Sequence, residues 1–137
     1  MRNTKHRVII DTNLWISFLL TKDVAKLDRL FVTDKLTLLF SQELLDEFVS
    51  VARRPKFRKY FSLDDLQELL TTIREKADFV VVTSALAICR DAKDNFLLSL
   101  AVDGRATHLL SGDKDLLVLD AVNQTRILSV AEYLALK

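Results

Sequence analysis

The stretch that most restricts what this chain can become is Arg7-Val8-Ile9-Ile10-Asp11-Thr12-Asn13. Three β-branched apolar residues in a row predict a strand buried on both faces, because successive side chains point to opposite sides of a sheet. A carboxylate follows at once, and after Thr12 and Asn13 comes the apolar run Leu14-Trp15-Ile16, which predicts a helix. Asp11 is thereby set at the carboxyl edge of a sheet, where open α/β sheets bind ligands. It can cap the helix that follows or belong to a site. What else converges on that edge separates the two.

The alternation continues along the chain. Thr12 to Leu20 is expected as a short helix, and Val24, Leu27, Leu30 and Phe31 repeat at helical spacing to about Thr33. Leu36 to Phe40 reads as a second buried strand. Ser41 then caps a helix with Leu44, Leu45, Phe48, Val51 and Ala52 on one face, ended by Arg53-Arg54-Pro55. Ser62-Leu63-Asp64-Asp65 has the form of a capping box opening a helix to about Lys76. Phe79 to Thr83 is predicted as the third strand, and Ser84 to Lys93 as irregular. A helix follows from about Asp94 to Asp103, with Gly104 as its terminator. Thr107 to Leu110 makes the fourth strand, a short helix follows Asp113, and Arg126 to Leu128 makes a small edge strand. Ser129-Val130-Ala131-Glu132 caps the last helix. Short strands alternating with helices predict a parallel sheet of four to five strands covered on both faces.

The 137 residues suffice for one domain, residues 1–137, with a proper core. Half are hydrophobic and only two are Gly and one Pro, which excludes a disordered chain. Twenty basic against nineteen acidic residues leave a net charge of +1, so any electrostatic argument about a partner must be local. One cysteine, Cys89, excludes an internal disulfide and a cysteine zinc site. The start of the chain is unlike a signal peptide and no apolar run approaches a membrane span, so a soluble cytoplasmic domain is expected.

Four acids resist a purely structural explanation. At roughly 100° per residue, Glu43 and Asp46 fall on the solvent side of their helix, whereas Glu47 lands at the margin of the apolar stripe. Asp94 lies on the same side of its helix as Leu97, Leu98 and Ala101, while Asn95, Ser99 and Asp103 form the polar side. A carboxylate on an apolar side is costly unless paired or bound to a cation; helix capping is the alternative. Asp113 follows the apolar strand Thr107-His108-Leu109-Leu110, with Ser111 and Gly112 allowing a sharp turn, and it can equally cap the next helix. Asp115 shares that ambiguity, and Asp91, one turn before Asp94, would be a neighbour. Gathered together, these acids would repel one another, and no matching group of buried-looking Lys or Arg accompanies them. Hard divalent ions such as Mg²⁺ or Mn²⁺ take carboxylate oxygens, and pairs of such ions cut phosphodiester bonds. Arg53, Arg54, Lys56, Arg58 and Lys59, interleaved with Phe57 and Tyr60, suit a polyanion, or else form a solvated loop.

In this order and spacing, the residues resemble the PIN domain, and within it the toxin components of toxin–antitoxin systems related to the VapC toxins. The resemblance runs from Val8 to about Val130. Val-Ile-Ile-Asp11-Thr12-Asn13 is similar to the family's opening strand and first acid, and Ser41-Gln-Glu-Leu-Leu-Asp-Glu47 to its second motif. Asp91-Ala-Lys-Asp94-Asn-Phe-Leu-Leu resembles the third, and Ser111-Gly-Asp113-Lys-Asp115-Leu-Leu the fourth. The resemblance implies a three-layer sandwich and a Mg²⁺- or Mn²⁺-dependent ribonuclease acting on single-stranded or structured RNA, blocked by an antitoxin protein. A homodimer is compatible with it. Asp11, Glu47, Asp94 and Asp113 would hold the metal, with Asp91 and Asp115 as further candidates. Thr12, Asn13 and Ser111 would support the carboxylates, and the Arg53–Lys59 run would hold RNA. A catalytically silent PIN-like module that binds RNA or a protein is the alternative.

Other α/β readings fit less well. A P-loop or dinucleotide site needs glycines after the first strand, and the two glycines are Gly104 and Gly112. A phosphatase would want a second Asp where Asn13 stands, and a receiver domain an Asp where Thr83 stands. His6 and His108, far apart in the chain, are expected to be structural, as are Trp15, the Phe residues and Cys89.

Overall fold

The computed structural model describes residues 6–22 and 36–136. Strand β1 (His6–Ile10) leads into α1 (Thr12–Thr21), and β2 (Leu36–Phe40) into α2 (Gln42–Ala52). A single 3₁₀ turn, Pro55–Phe57, precedes α3 (Leu63–Lys76), which runs straight into β3 (Ala77–Phe79). Then come α4 (Ala92–Gly104), β4 (His108–Leu110), α5 (Lys114–Leu117), the hairpin strands β5 (Ala121–Val122) and β6 (Thr125–Leu128), and α6 (Val130–Leu134). The helix expected from Val24 to Thr33 lies outside the described residues.

Among the described residues, six strands form one sheet in the order β3-β2-β1-β4-β6-β5, parallel except for the β5–β6 hairpin. This is the mixed α/β architecture expected from sequence, with one strand more than the expected four to five. The consecutive residues Val8, Ile9 and Ile10 are all buried, as are Leu109 and Leu110. Both faces of the central strands are therefore covered by helices. Each such side chain contributes roughly 1.5–3 kcal/mol on burial, and a charged residue at Ile9 would forfeit that and strand a charge in the core.

The strand order has a functional consequence. From β1 the chain moves outward to β2 and β3, then returns through α4 to β4 on the other side of β1. The order thus reverses between β1 and β4, and a crevice opens where their following loops part. Asp11 stands just past β1 and Asp113 just past β4. The strands stay paired up to that point, the Asp11 amide donating to the Leu110 carbonyl at 3.0 Å.

Capping follows the sequence closely. Ser41 Oγ accepts from the Leu44 amide, and both Ser62 with Asp65 and Ser129 with Glu132 form reciprocal capping boxes. Four expectations need correction. The third strand is Ala77–Phe79, earlier than Phe79 to Thr83. After Val80 donates to the Phe40 carbonyl, the extended chain leaves the sheet and is fastened to α4 instead. Asp103 accepts from the Thr83 and Ser84 amides, Ser99 Oγ from the Leu86 amide, and Asn95 Oδ1 from the Ile88 and Cys89 amides. The polar side of this helix is a clamp for residues 83–89.

Gly104 is the last residue of α4, and Arg105 takes the left-handed conformation beyond it (φ 53°). A Cβ on Gly104 would lie 3.1 Å from Leu39 Cδ1 and 3.2 Å from Val80 Cγ2, so close packing explains the glycine. Gly112 has no positive φ and no neighbour within 4 Å of a Cβ, so its turn does not depend on glycine. Lastly, β6 is internal, and β5, joined to it by a two-residue turn with Asn123 at φ 53°, is the edge.

Candidate metal centre

Four loops or helix starts bring carboxylates to the β1/β4 crevice. Asp11 occupies the N-cap position of α1 but makes no capping hydrogen bond. Its Oδ2 instead accepts from Ser111 Oγ at 2.9 Å, and Ser111 Oγ in turn accepts from the Asp113 amide at 3.0 Å. One fully buried hydroxyl therefore couples the acids of the two strand ends. Asp113 Oδ1 caps α5 by accepting from the Asp115 amide, and Asp91 Oδ1 caps α4 by accepting from the Lys93 amide. With Asp91 as the cap, Asp94 is released from that duty.

Asp94 is only 5 % exposed, and its Oδ2 has no hydrogen-bond partner. Burial, the adjoining Asp113 carboxyl, and the charges of Asp91 and Asp11 push its pKa from 3.8 up to about 7. Burial also raises Asp11, against the pull of the Ser111 hydroxyl. Carboxylate oxygens of Asp94, Asp113 and Asp115 all lie within 4.8 Å of one another.

A cavity of about 220 Å³ opens over this group, lined by Asp11, Thr12, Asn13, Glu47, Asp91, Asp94 and Asp113 among others. Glu47 reaches it half-buried from α2, while Glu43 and Asp46 are exposed, as the helical geometry predicts. Asp115 approaches Asp94 and Asp113 without lining the cavity, and it pairs with Arg90 at 3.1 Å.

Among the described residues, no buried Lys or Arg lines the cavity, but two exposed ones do. Arg54 and Lys93 line the cavity, and Lys93 Nζ lies 3.5 Å from Glu47 Oε2. Sequence reasoning missed Lys93. Its position between the Asp91 cap and Asp94, in the first turn of α4, was the available signal.

The basic run is divided. Arg53, Lys56 and Lys59 are exposed outside the cavity, with Lys56 over the Phe57 ring and Lys59 over the Tyr60 ring. Arg58 turns inward, donating to the Ala52 carbonyl at 2.6 Å and lying over Phe61. It secures the chain after α2 rather than facing outward with the others.

The histidines also meet. Because β1 and β4 are neighbours, His6 and His108 lie with ring centroids 4.4 Å apart. His6 Nδ1 contacts Tyr133 Oη at 2.8 Å, and His108 Nδ1 contacts Thr107 Oγ1 at 2.7 Å. They stand at the amino ends of their strands, away from the acids.

Mutually repelling carboxylates thus converge at the topological switch point of a mostly parallel sheet, an all-oxygen donor set compatible with a divalent cation. Residues 7–115 match the family model of the PIN domain, and the chain belongs to that family. PIN domains have a nuclease-type fold, and the family generally employs divalent metal ions. The chain is also similar to an uncharacterized protein of Methanocaldococcus jannaschii, 29 % identical over 127 residues, covering 90 % of this chain and 81 % of the relative. No solved structure matches it significantly. Among the described residues, no helix is long and apolar enough to cross a membrane.

Proposed function

We propose that this protein is a metal-dependent endoribonuclease, acting in the cytoplasm as the toxin of a toxin–antitoxin pair. The observation that carries the nuclease reading is Asp94. Its buried oxygen has no donor, and its surroundings are further carboxylates. Such a group is stable near neutral pH only when protonated or when a cation lies against it. The donor set is all oxygen, which suits Mg²⁺ or Mn²⁺ over softer metals.

Asp94 and Asp113 would hold the ion together with Asp11 and Glu47, and Asp115 is near enough to join them. Bound there, it would supply an activated water and neutralise charge on the scissile phosphate. The chain's own groups prepare that step. Ser111 fixes the Asp11 carboxylate and aligns the Asp113 loop. Arg54 presents a cation at the cavity wall, and Arg53, Lys56 and Lys59 extend positive charge beyond it along the path of a strand. Tyr60, 49 % exposed, offers a ring on which a base can stack. The toxin role and the antitoxin partner rest on the motif resemblance.

The test is cleavage of a mixed single-stranded RNA. Cleavage is expected in Mg²⁺ or Mn²⁺, and should fall to background with EDTA or in folded Asp94→Asn. Cleavage that persists in Asp94→Asn would refute the assignment. Metal-independent, salt-sensitive RNA binding without cleavage would instead favour a silent binding module.

A further inference from the structure

We propose that Lys93 is a positioning residue for the ion site. Its ammonium pairs with Glu47, and a divalent ion entering the cavity would have to displace it for Glu47 to serve as a ligand. The proposal rests on the metal-dependent reading above. Among the described residues, Glu47 is the cavity carboxylate that has an ion-pair partner: Lys93 Nζ stands 3.5 Å from Glu47 Oε2, bridging α4 to α2. The cavity's other acids, Asp11, Asp91, Asp94 and Asp113, are held by hydrogen bonds or by none.

The base of Lys93 is anchored, its amide donating to Asp91 Oδ1 at 2.8 Å, while its side chain is 65 % exposed. The backbone is held at Asp91, and the exposed side chain reaches from there to Glu47. An exposed pair of this kind is weak, weak enough for a doubly charged ion to replace it. An ammonium left within contact of the same carboxylate would repel that ion. Lys93 therefore keeps Glu47 aimed at the cavity before loading, and taxes ion uptake through that one carboxylate.

The experiment is a calorimetric Mn²⁺ titration, at constant ionic strength, of the wild type, Lys93→Met, Glu47→Gln and the double variant. Lys93→Met should bind Mn²⁺ about three- to tenfold more tightly than the wild type. In the Glu47→Gln background the same substitution should produce no gain, because the coupling runs through that pair. Lys93→Arg, which keeps the charge and secures the comparison if Lys93→Met folds poorly, should bind like the wild type. An equal gain in both backgrounds would show a diffuse charge effect and overturn the proposal, as would unchanged or weaker binding in Lys93→Met. Failure of the underlying metal reading looks different: the wild type would then take up no Mn²⁺ at all, and the proposal would fall with it.

Discussion

The two ends of β1 and β4 hold buried and half-buried polar groups in opposite conditions. At the amino ends, His6, His108, Thr107 and Tyr133 satisfy one another. Burial, with His6 and Arg126 nearby, lowers the His108 pKa to about 4, so its ring is neutral at physiological pH and asks for no counter-ion. At the carboxyl ends, Asp11, Asp94 and Asp113 converge with a shared hydroxyl, and one Asp94 oxygen has no partner. Burial is common to both clusters and does not tell them apart. Satisfaction does: groups that complete one another are architecture, whereas groups that need something from outside the chain form a site.

Loosening the acid end should have the larger consequence. Ser111→Ala removes the donor to Asp11 and the acceptor for the Asp113 amide together. It should weaken Mn²⁺ binding by about ten- to a hundredfold, the usual reach of an outer support of a metal ligand, as read by calorimetry. Unchanged affinity would mean that the hydroxyl serves the loop alone.

The pH dependence of stability contrasts the two ends directly. Asp94 titrates near 7 in the folded protein against 3.8 unfolded, so the native state keeps a proton that the unfolded chain has lost, and stability falls as pH rises between those values. His108 runs the other way. Its pKa is about 4 folded against 6.5 unfolded, so stability rises across that interval. In EDTA these trends oppose each other in the wild type. Asp94→Asn should expose the rising His108 limb and stand a few degrees above the wild type in Tm at pH 8, measured by calorimetric melting. A variant curve parallel to the wild type would place the strain elsewhere.

The smallest effect is expected at the amino end. Tyr133→Phe deletes the half-buried contact with His6 and should cost about 1 kcal/mol in denaturant unfolding. Mn²⁺ affinity and cleavage should stay as in the wild type, and a loss of either would break the division between the two ends.

Most of what places the site is written locally. Val8-Ile9-Ile10-Asp11, the Ser41 cap, the position of Glu47 at its stripe margin and the burial of Asp94 beside Leu97 and Leu98 follow from periods of two and 3.6. What escaped depends on distant partners. Val80 to Thr83 have strand-like composition, yet the ladder there gives way to side chains of α4 some twenty residues on. Asn95, Ser99 and Asp103 are polar because they hold a backbone, and a helical wheel reads the same pattern as solvent exposure. Gly104 sits at a helix end, where packing against Leu39 and Val80 and termination would both select glycine. The meetings of His6 with His108, and of Lys93 with Glu47, arise from strand order and helix placement. No spacing within one segment encodes them.

Whether a cation completes the acid cluster is decided most directly by melting the wild type and Asp94→Asn across a Mn²⁺ titration at pH 7.5. An ion that binds only the folded state raises Tm with concentration by linkage. The wild type should show that rise and Asp94→Asn should lose it. An equal rise in both proteins, or none in the wild type, would show that no cation binds at Asp94.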